Sequence, residues 1–166
     1  ADPHFAPEEP STESLALLSA SIDEEIEQAF SGLPEHEALD DVRGRGEEVR
    51  DRLRMLTHIG HVGKVIRNHG DYHLGQALWT EADDWVILDF EGEPARPAAQ
   101  RRLKRSPLRD VAGMLRSFAY AASASSIRHG IDPPDGWEQR CRTAFLDGYL
   151  GTVEPSLLPG GEEAIR

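Results

Sequence analysis

The spacing of the apolar residues changes along this chain, and that change constrains the fold more than any other feature. In residues 14–30 and 46–59, apolar side chains recur every three or four positions, which predicts two amphipathic helices. In residues 64–90 the apolar segments become short and rich in Val, Ile, Leu and Trp, which is typical of strands. The sequence therefore predicts a mainly helical α+β fold.

Three segments have the composition of strands: residues 64–68, 76–80 and 85–90. The polar residues 81–84 can turn the last two into a hairpin. Helical spacing returns after Ser106 and Pro107, which are suited to be the N-cap and first residue of a helix. A final helix is predicted from Trp137, where aromatic residues and Cys141 repeat every four positions.

The length and charge of the chain limit the kinds of partner it can have. A chain of 166 residues and 18.4 kDa suits one domain, with residues 1–12, rich in proline and acidic residues, as a linker or extended segment. Its net charge of -12 disfavours nucleic acid and anionic membranes as partners. The chain has one cysteine and no apolar run of the roughly 20 residues that span a bilayer, so a cytoplasmic location is expected.

Two short motifs carry candidate catalytic chemistry. Asp71 and Gln76 stand five residues apart in the sequence NHGDYHLGQ, and Asp89 begins Asp-Phe-Glu-Gly after an apolar strand. A kinase catalytic loop has this spacing between its proton-accepting aspartate and its metal-binding amide, and a later aspartate binds the magnesium that bridges the nucleotide phosphates. A hairpin between Gln76 and Asp89 would bring both motifs to one end of a small sheet.

These segments, together with KRSPLRDVAGMLRSFAYAA, resemble bacterial maltokinases, relatives of the aminoglycoside phosphotransferases, over about residues 65–122. The resemblance implies a protein-kinase-like fold, of which residues 13–166 are the mainly helical C-terminal lobe, truncated at both ends. It also implies transfer of a phosphoryl group from ATP to the anomeric hydroxyl of maltose, with Mg2+. The maltose 1-phosphate formed feeds α-glucan (glycogen) synthesis, and in some bacteria the kinase is fused to a trehalose synthase.

The resemblance also implies roles for individual residues. Asp71 is the expected catalytic base, and Gln76 and Asp89 are the expected magnesium ligands. The residues expected to support them are His69, Glu91 and Asp110. His69 is interpreted as a packed side chain that holds the loop by hydrogen bonds, and Asp110 as a brace of the catalytic loop. The basic run from Arg101 to Arg105 is interpreted as a solvated connection.

Other interpretations remain open. No Gly-rich loop and no strand lysine paired with a helix glutamate are found in the sequence, so the isolated chain is expected to be inactive, or nearly so, without an N-terminal nucleotide-binding lobe. A metal-dependent hydrolase could use the His and Asp residues that recur in this region, namely His58, His61, His69, Asp71, His73 and Asp89. A glucan-binding or scaffold lobe without turnover is the non-enzymatic alternative.

Overall fold

The fold is described from a computed structural model, which covers residues 2–56 and 62–160. The chain divides into two compact units, residues 9–62 and residues 1–8 together with 63–166. Within the described residues, no helix has the length and apolar character needed to cross a membrane.

The unit formed by residues 9–62 contains two helices, α1 (Thr12–Ser31) and α2 (Gly46–Leu56). The Ser11 hydroxyl caps α1 by accepting a hydrogen bond from the backbone N–H of Ser14. Arg50 on α2 pairs with Asp23 and Glu27 on α1, so an ion-pair cluster joins the helices. Both predicted helices are confirmed; the predicted end of the second, at residues 57–59, lies outside the described residues.

A short antiparallel hairpin organises the other unit. Strands β1 (Ala77–Trp79) and β2 (Trp85–Ile87) pair with Leu78 opposite Val86. At the turn end, the rings of Trp79 and Trp85 pack edge to face, with centroids 5.0 Å apart. The predicted hairpin is therefore confirmed.

The strand predicted for residues 64–68 is wrong. Val65 forms an isolated antiparallel pair with Glu8, and Ile66 forms another with Arg105. The composition of this segment suits a strand, but its two neighbours come from different parts of the chain and each pairs with a single residue. A strand forms only where a neighbouring segment pairs with several of its residues in succession. The local sequence pattern does not show whether such a neighbour exists.

The remaining helices are a single turn, α3 (Ala98–Arg101), and two long helices, α4 (Leu108–His129) and α5 (Trp137–Leu150). The buried core lies on α4, where Val111, Met114 and Phe118 are each less than a tenth exposed. The Phe118 ring packs edge to face against Phe145 of α5. The helical spacing of the apolar residues predicted the two helices, which are confirmed.

Helix α4 begins one residue later than predicted. Pro107 precedes the first helical residue, Leu108, whose backbone N–H is 3.3 Å from the Ser106 hydroxyl that accepts it. The N-cap residue is therefore Pro107 and not Ser106 as predicted, although the Ser106 hydroxyl still accepts a hydrogen bond from the first turn of the helix. This start of α4 lies beside the loop described next.

Candidate active site

The hairpin brings Gln76 and Asp89 together at its open end. Beyond the last strand pair, the Leu88 backbone N–H donates to the Gln76 carbonyl at 2.9 Å. The Gln76 side-chain amide then donates to the Asp89 carboxylate, with Nε2 and Oδ2 3.3 Å apart. Two side chains that carry oxygen atoms and are 13 residues apart in sequence are thus in direct contact.

Asp89 has an unusual backbone conformation. Its φ of 59° lies in the left-handed region, which residues other than glycine seldom adopt, although Asp tolerates it better than most. The chain turns sharply at the end of β2 as a result. Such conformations are concentrated at functional sites, where the surrounding structure holds them in place.

The loop that carries Asp71 is fixed by the start of α4. The Asp110 carboxylate accepts hydrogen bonds from two successive loop amides, the N–H of His69 at 2.7 Å and that of Gly70 at 2.9 Å. The Asn68 side-chain amide donates to the Ser106 carbonyl at 3.0 Å. The two hydrogen bonds of Asp110 are those expected of a residue that braces the loop.

His69 links the two candidate catalytic segments. Its Nδ1 accepts a hydrogen bond from the Asp71 backbone N–H at 3.3 Å, so Nε2 carries the proton and donates it to the Leu88 carbonyl at 2.7 Å. The ring also packs against Phe90, with centroids 5.0 Å apart. Both ring nitrogens are engaged, as expected of a packed histidine that holds the loop by hydrogen bonds.

Two glycines allow these segments to approach each other. Gly70 and Gly92 have φ values of 84° and 79°, and a Cβ added to Gly70 would lie 3.5 Å from the Gly92 Cα. A Cβ on Gly92 would lie 3.4 Å from the His69 carbonyl oxygen. Sequence reasoning missed this contact, although a glycine beside each candidate aspartate motif is a signal for close backbone approach.

Asp71 faces a polar cavity of about 280 Å3, and its side chain is 28% exposed. His73 places Nε2 3.9 Å from the nearer Asp71 carboxylate oxygen. Arg96 and Arg109 also line this cavity, and Glu93 lies between them, with its carboxylate 2.6 Å from Arg96 Nε and 3.6 Å from Arg109 Nη2. A hydroxyl group could reach Asp71 through this opening.

Glu93, Arg96 and Arg109 were not singled out as site residues by the sequence analysis. Glu93 and Arg96 are only three residues apart, so their contact is local. The approach of Arg109 depends on α4 lying beside this segment, which no local spacing predicts. Glu91, a candidate supporting carboxylate, is exposed, and its backbone carbonyl accepts a hydrogen bond from Arg101 Nη1 at 2.9 Å.

The interpretation of the basic run as a solvated connection is wrong at Lys104. Its side chain is only 12% exposed and pairs with Glu8, with Nζ and the carboxylate oxygen 2.8 Å apart. The same ammonium group donates to the Pro3 carbonyl. Lys104 can do this because the Ile66–Arg105 pair brings its segment beside residues 3–8, a contact that spans about 100 positions of sequence.

The pair Gln76 and Asp89 fits a magnesium ion better than a transition metal. Mg2+ favours oxygen ligands and is commonly held by one or two carboxylates together with substrate phosphates, so two protein side chains are sufficient. Among the described residues, no three His, Cys, Asp or Glu side chains converge as a metal cluster. The ring nitrogens of His69 are already occupied, which disfavours the zinc-hydrolase interpretation; His58 and His61 lie outside the described residues.

Tyr72 follows Asp71, and its position is set by close packing on α4. A Cβ added to Gly113 would lie 2.6 Å from the Tyr72 carbonyl oxygen, a separation that real Cβ atoms do not show. Burial, together with the negative charge of Asp110, raises the pKa of the Tyr72 hydroxyl.

Substitution of Gly113 by Ala is expected to destabilise the protein by about 1–3 kcal/mol, because the loop or the helix must shift to admit the methyl group. Gly148→Ala is the matched control, since this helical glycine has nothing within 4 Å of its added Cβ. Chemical denaturation followed by circular dichroism measures both variants. Equal stabilities for the two would contradict the close packing of the loop on α4.

Comparisons with known proteins relate this chain to sugar kinases. Over 144 residues it is 29% identical to a glucosamine kinase from Streptacidiphilus jiangxiensis, a match that covers 84% of this chain and 32% of the relative. Over 116 residues it is 32% identical to a glucosamine kinase from Mycolicibacterium smegmatis, covering 68% of this chain and 28% of the relative. No protein-family model matches the chain.

Solved structures give the same relationship. A glucosamine kinase structure aligns with a TM-score of 0.76 at 25% identity, covering 89% of this chain and 36% of that one. The same values hold for a glucosamine kinase in complex with glucosamine, ADP and inorganic phosphate. The chain therefore spans about a third of the length of the proteins it matches. These relatives support the predicted sugar-kinase class and are described as glucosamine kinases, not maltokinases.

Proposed function

We propose that this chain supplies the catalytic-base and metal-binding lobe of an ATP-dependent sugar kinase. The observation that carries the proposal is the contact between Gln76 and Asp89 at the open end of the hairpin, with the loop of Asp71 tied to the same end through His69. The similarity to glucosamine kinases supports the class of reaction. The protein-kinase-like fold is part of this proposal.

In the proposed reaction, Asp71 accepts the proton of a sugar hydroxyl as that oxygen attacks the terminal phosphorus of ATP. The bond to the ADP oxygen breaks, and the products are ADP and a sugar phosphate. Gln76 and Asp89 would hold magnesium, whose charge would stabilise the negative charge on the phosphate oxygens. Asp110 and His69 keep the loop and the Asp89 segment at a fixed separation, which is the positioning that phosphoryl transfer requires.

The groups that bind ATP, the phosphoryl donor, are proposed to lie in a nucleotide-binding lobe outside this sequence. One relative has been solved with ADP, which supports ATP as the co-substrate. The acceptor is proposed to be a sugar: glucosamine is the sugar named for the relatives, whereas the motif resemblance favours maltose, phosphorylated at its anomeric hydroxyl for α-glucan synthesis. A cytoplasmic location belongs to the same proposal, since ATP is its co-substrate.

The role of Asp89 can be tested in the intact kinase. Asp89→Asn removes the negative charge from the proposed metal site, and we expect the Mg2+ concentration for half-maximal rate to rise at least about tenfold, with a fall in kcat of about a hundredfold. Sugar phosphorylation is measured across a Mg2+ titration at saturating ATP.

Asp83→Asn is the matched control for this experiment. Asp83 also has a positive φ, of 56°, but it lies in the hairpin turn, away from Gln76. The Asp83→Asn variant should therefore show the same dependence of the rate on Mg2+ concentration as the wild type. If Asp89→Asn and Asp83→Asn gave the same Mg2+ dependence, Asp89 would not be a magnesium ligand.

A further inference from the structure

Two residues that line one small cavity beside the candidate site each have a buried polar atom without a hydrogen-bond partner. The atoms are Oδ1 of Asn68, an acceptor, and Nε of Arg101, whose N–H is a donor; neither has a partner in the described part of the chain. Both residues line a cavity of about 10 Å3, which has room for a single water molecule. Unsatisfied buried groups are costly, so a donor and an acceptor on two residues that line one cavity are expected to be joined.

The two residues belong to the two segments that carry the candidate catalytic groups. Asn68 lies in the Asp71 loop, is 9% exposed, and is anchored through its amide nitrogen to the Ser106 carbonyl. Its only remaining side-chain polar atom is the acceptor Oδ1. The loop therefore contributes one buried acceptor without a partner and one residue that lines this cavity.

Arg101 is attached to the segment that follows Asp89. Its Nη1 donates to the Glu91 carbonyl at 2.9 Å, and its aliphatic carbons would be 3.5 Å from a Cβ on Gly92. The guanidinium therefore holds the backbone of this segment through Nη1, while its buried Nε–H has no hydrogen-bond partner among the described residues. Arg101 lines the same cavity as Asn68.

We propose that Asn68 and Arg101 are positioning residues that act as a pair. Through one hydrogen-bonded water in the shared cavity, they set the separation between the Asp71 loop and the Asp89 segment. This inference rests on the proposed function, because it assigns the pair a role in aligning the base with the metal ligands. An error of about 1 Å in such alignment is enough to reduce a rate by orders of magnitude.

A double-mutant cycle in the intact kinase tests the pair. Asn68→Ala and Arg101→Ala are each expected to lower kcat about tenfold with little change in the KM for sugar. Each single variant also removes a separate anchor, the contact of Asn68 with the Ser106 carbonyl or that of Arg101 with the Glu91 carbonyl. The loss in the double variant is therefore expected to be smaller than the product of the two single losses, because the shared link is counted in both. Arg101→Lys retains the charge but lacks the Nε–H of arginine, so it should not restore kcat. Arg102→Ala, at the exposed neighbouring position, is the control.

Measuring the free energy of unfolding for the same single and double variants separates this inference from the proposed function. Non-additive losses of stability, with a water bound to both side chains in a high-resolution crystal structure, support the link even if the protein proves to have another activity. Additive losses in both the kinetic and the unfolding cycles, or full recovery of kcat in Arg101→Lys, would overturn it. Activity retained by Asp71→Asn would instead count against the proposed function.

Discussion

Replacement of Asp71 by Asn in the intact kinase is expected to reduce kcat by about 10²–10⁴-fold, the contribution typical of a general base. The substitution removes the proton acceptor while keeping the size of the side chain. The hydrogen bond from the Asp71 backbone N–H to His69 should persist, because it does not involve the side chain. Steady-state kinetics with ATP and the preferred sugar measure the loss.

Two controls make this result specific. The circular dichroism spectrum and unfolding midpoint of Asp71→Asn should match those of the wild type, since only a carboxylate oxygen is exchanged. Asp132→Asn, at an exposed position in the turn before α5, should retain full activity. Near-normal turnover in Asp71→Asn would remove Asp71 from the mechanism.

Replacement of Asp110 by Ala is the second large effect, and it should act on both stability and turnover. It leaves the N–H groups of His69 and Gly70 without their acceptor, and each unsatisfied group costs about 1–3 kcal/mol. We therefore expect a loss of about 2–4 kcal/mol in unfolding free energy and a fall in kcat as the loop loosens. Denaturant unfolding and kinetics on the same samples measure the two effects.

Asp110→Asn provides the graded comparison. Asn keeps one side-chain oxygen, so it can satisfy one of the two amides and should lie between the wild type and Asp110→Ala in stability. Burial first, and then the charge of Asp110, raise the pKa values of Tyr72 and Tyr149, so both substitutions should lower these pKa values in a spectrophotometric titration. Unchanged stability in Asp110→Ala would show that the two hydrogen bonds do not hold the loop.

The sequence predicts the parts of this fold that depend on local pattern. The hairpin follows from two apolar segments separated by polar turn residues, and its pairing is sufficient to bring Gln76 close to Asp89. Helices α1, α4 and α5 follow from apolar residues that repeat every three to four positions. The proximity of Gln76 and Asp89 was therefore predictable from the sequence.

Contacts between segments that are distant in sequence could not be predicted in the same way. The pairing of Val65 with Glu8 and the burial of Lys104 depend on the path of residues 2–8, which their composition does not specify. The contact of Arg109 with Glu93 likewise depends on α4 passing beside this segment, whereas the Glu93–Arg96 pair is local. For Asp110 alone, the family resemblance supplied an expectation that spacing could not, and the two hydrogen bonds agree with it.

The central claim is that these residues serve phosphoryl transfer to a sugar. Phosphorus NMR of the intact protein incubated with ATP, Mg2+ and a panel containing glucosamine, glucose and maltose tests it directly. The proposed function predicts that a sugar phosphate monoester signal grows at the same rate as ADP. Release of inorganic phosphate at the rate of ATP loss, with no sugar phosphate from any acceptor, would contradict it.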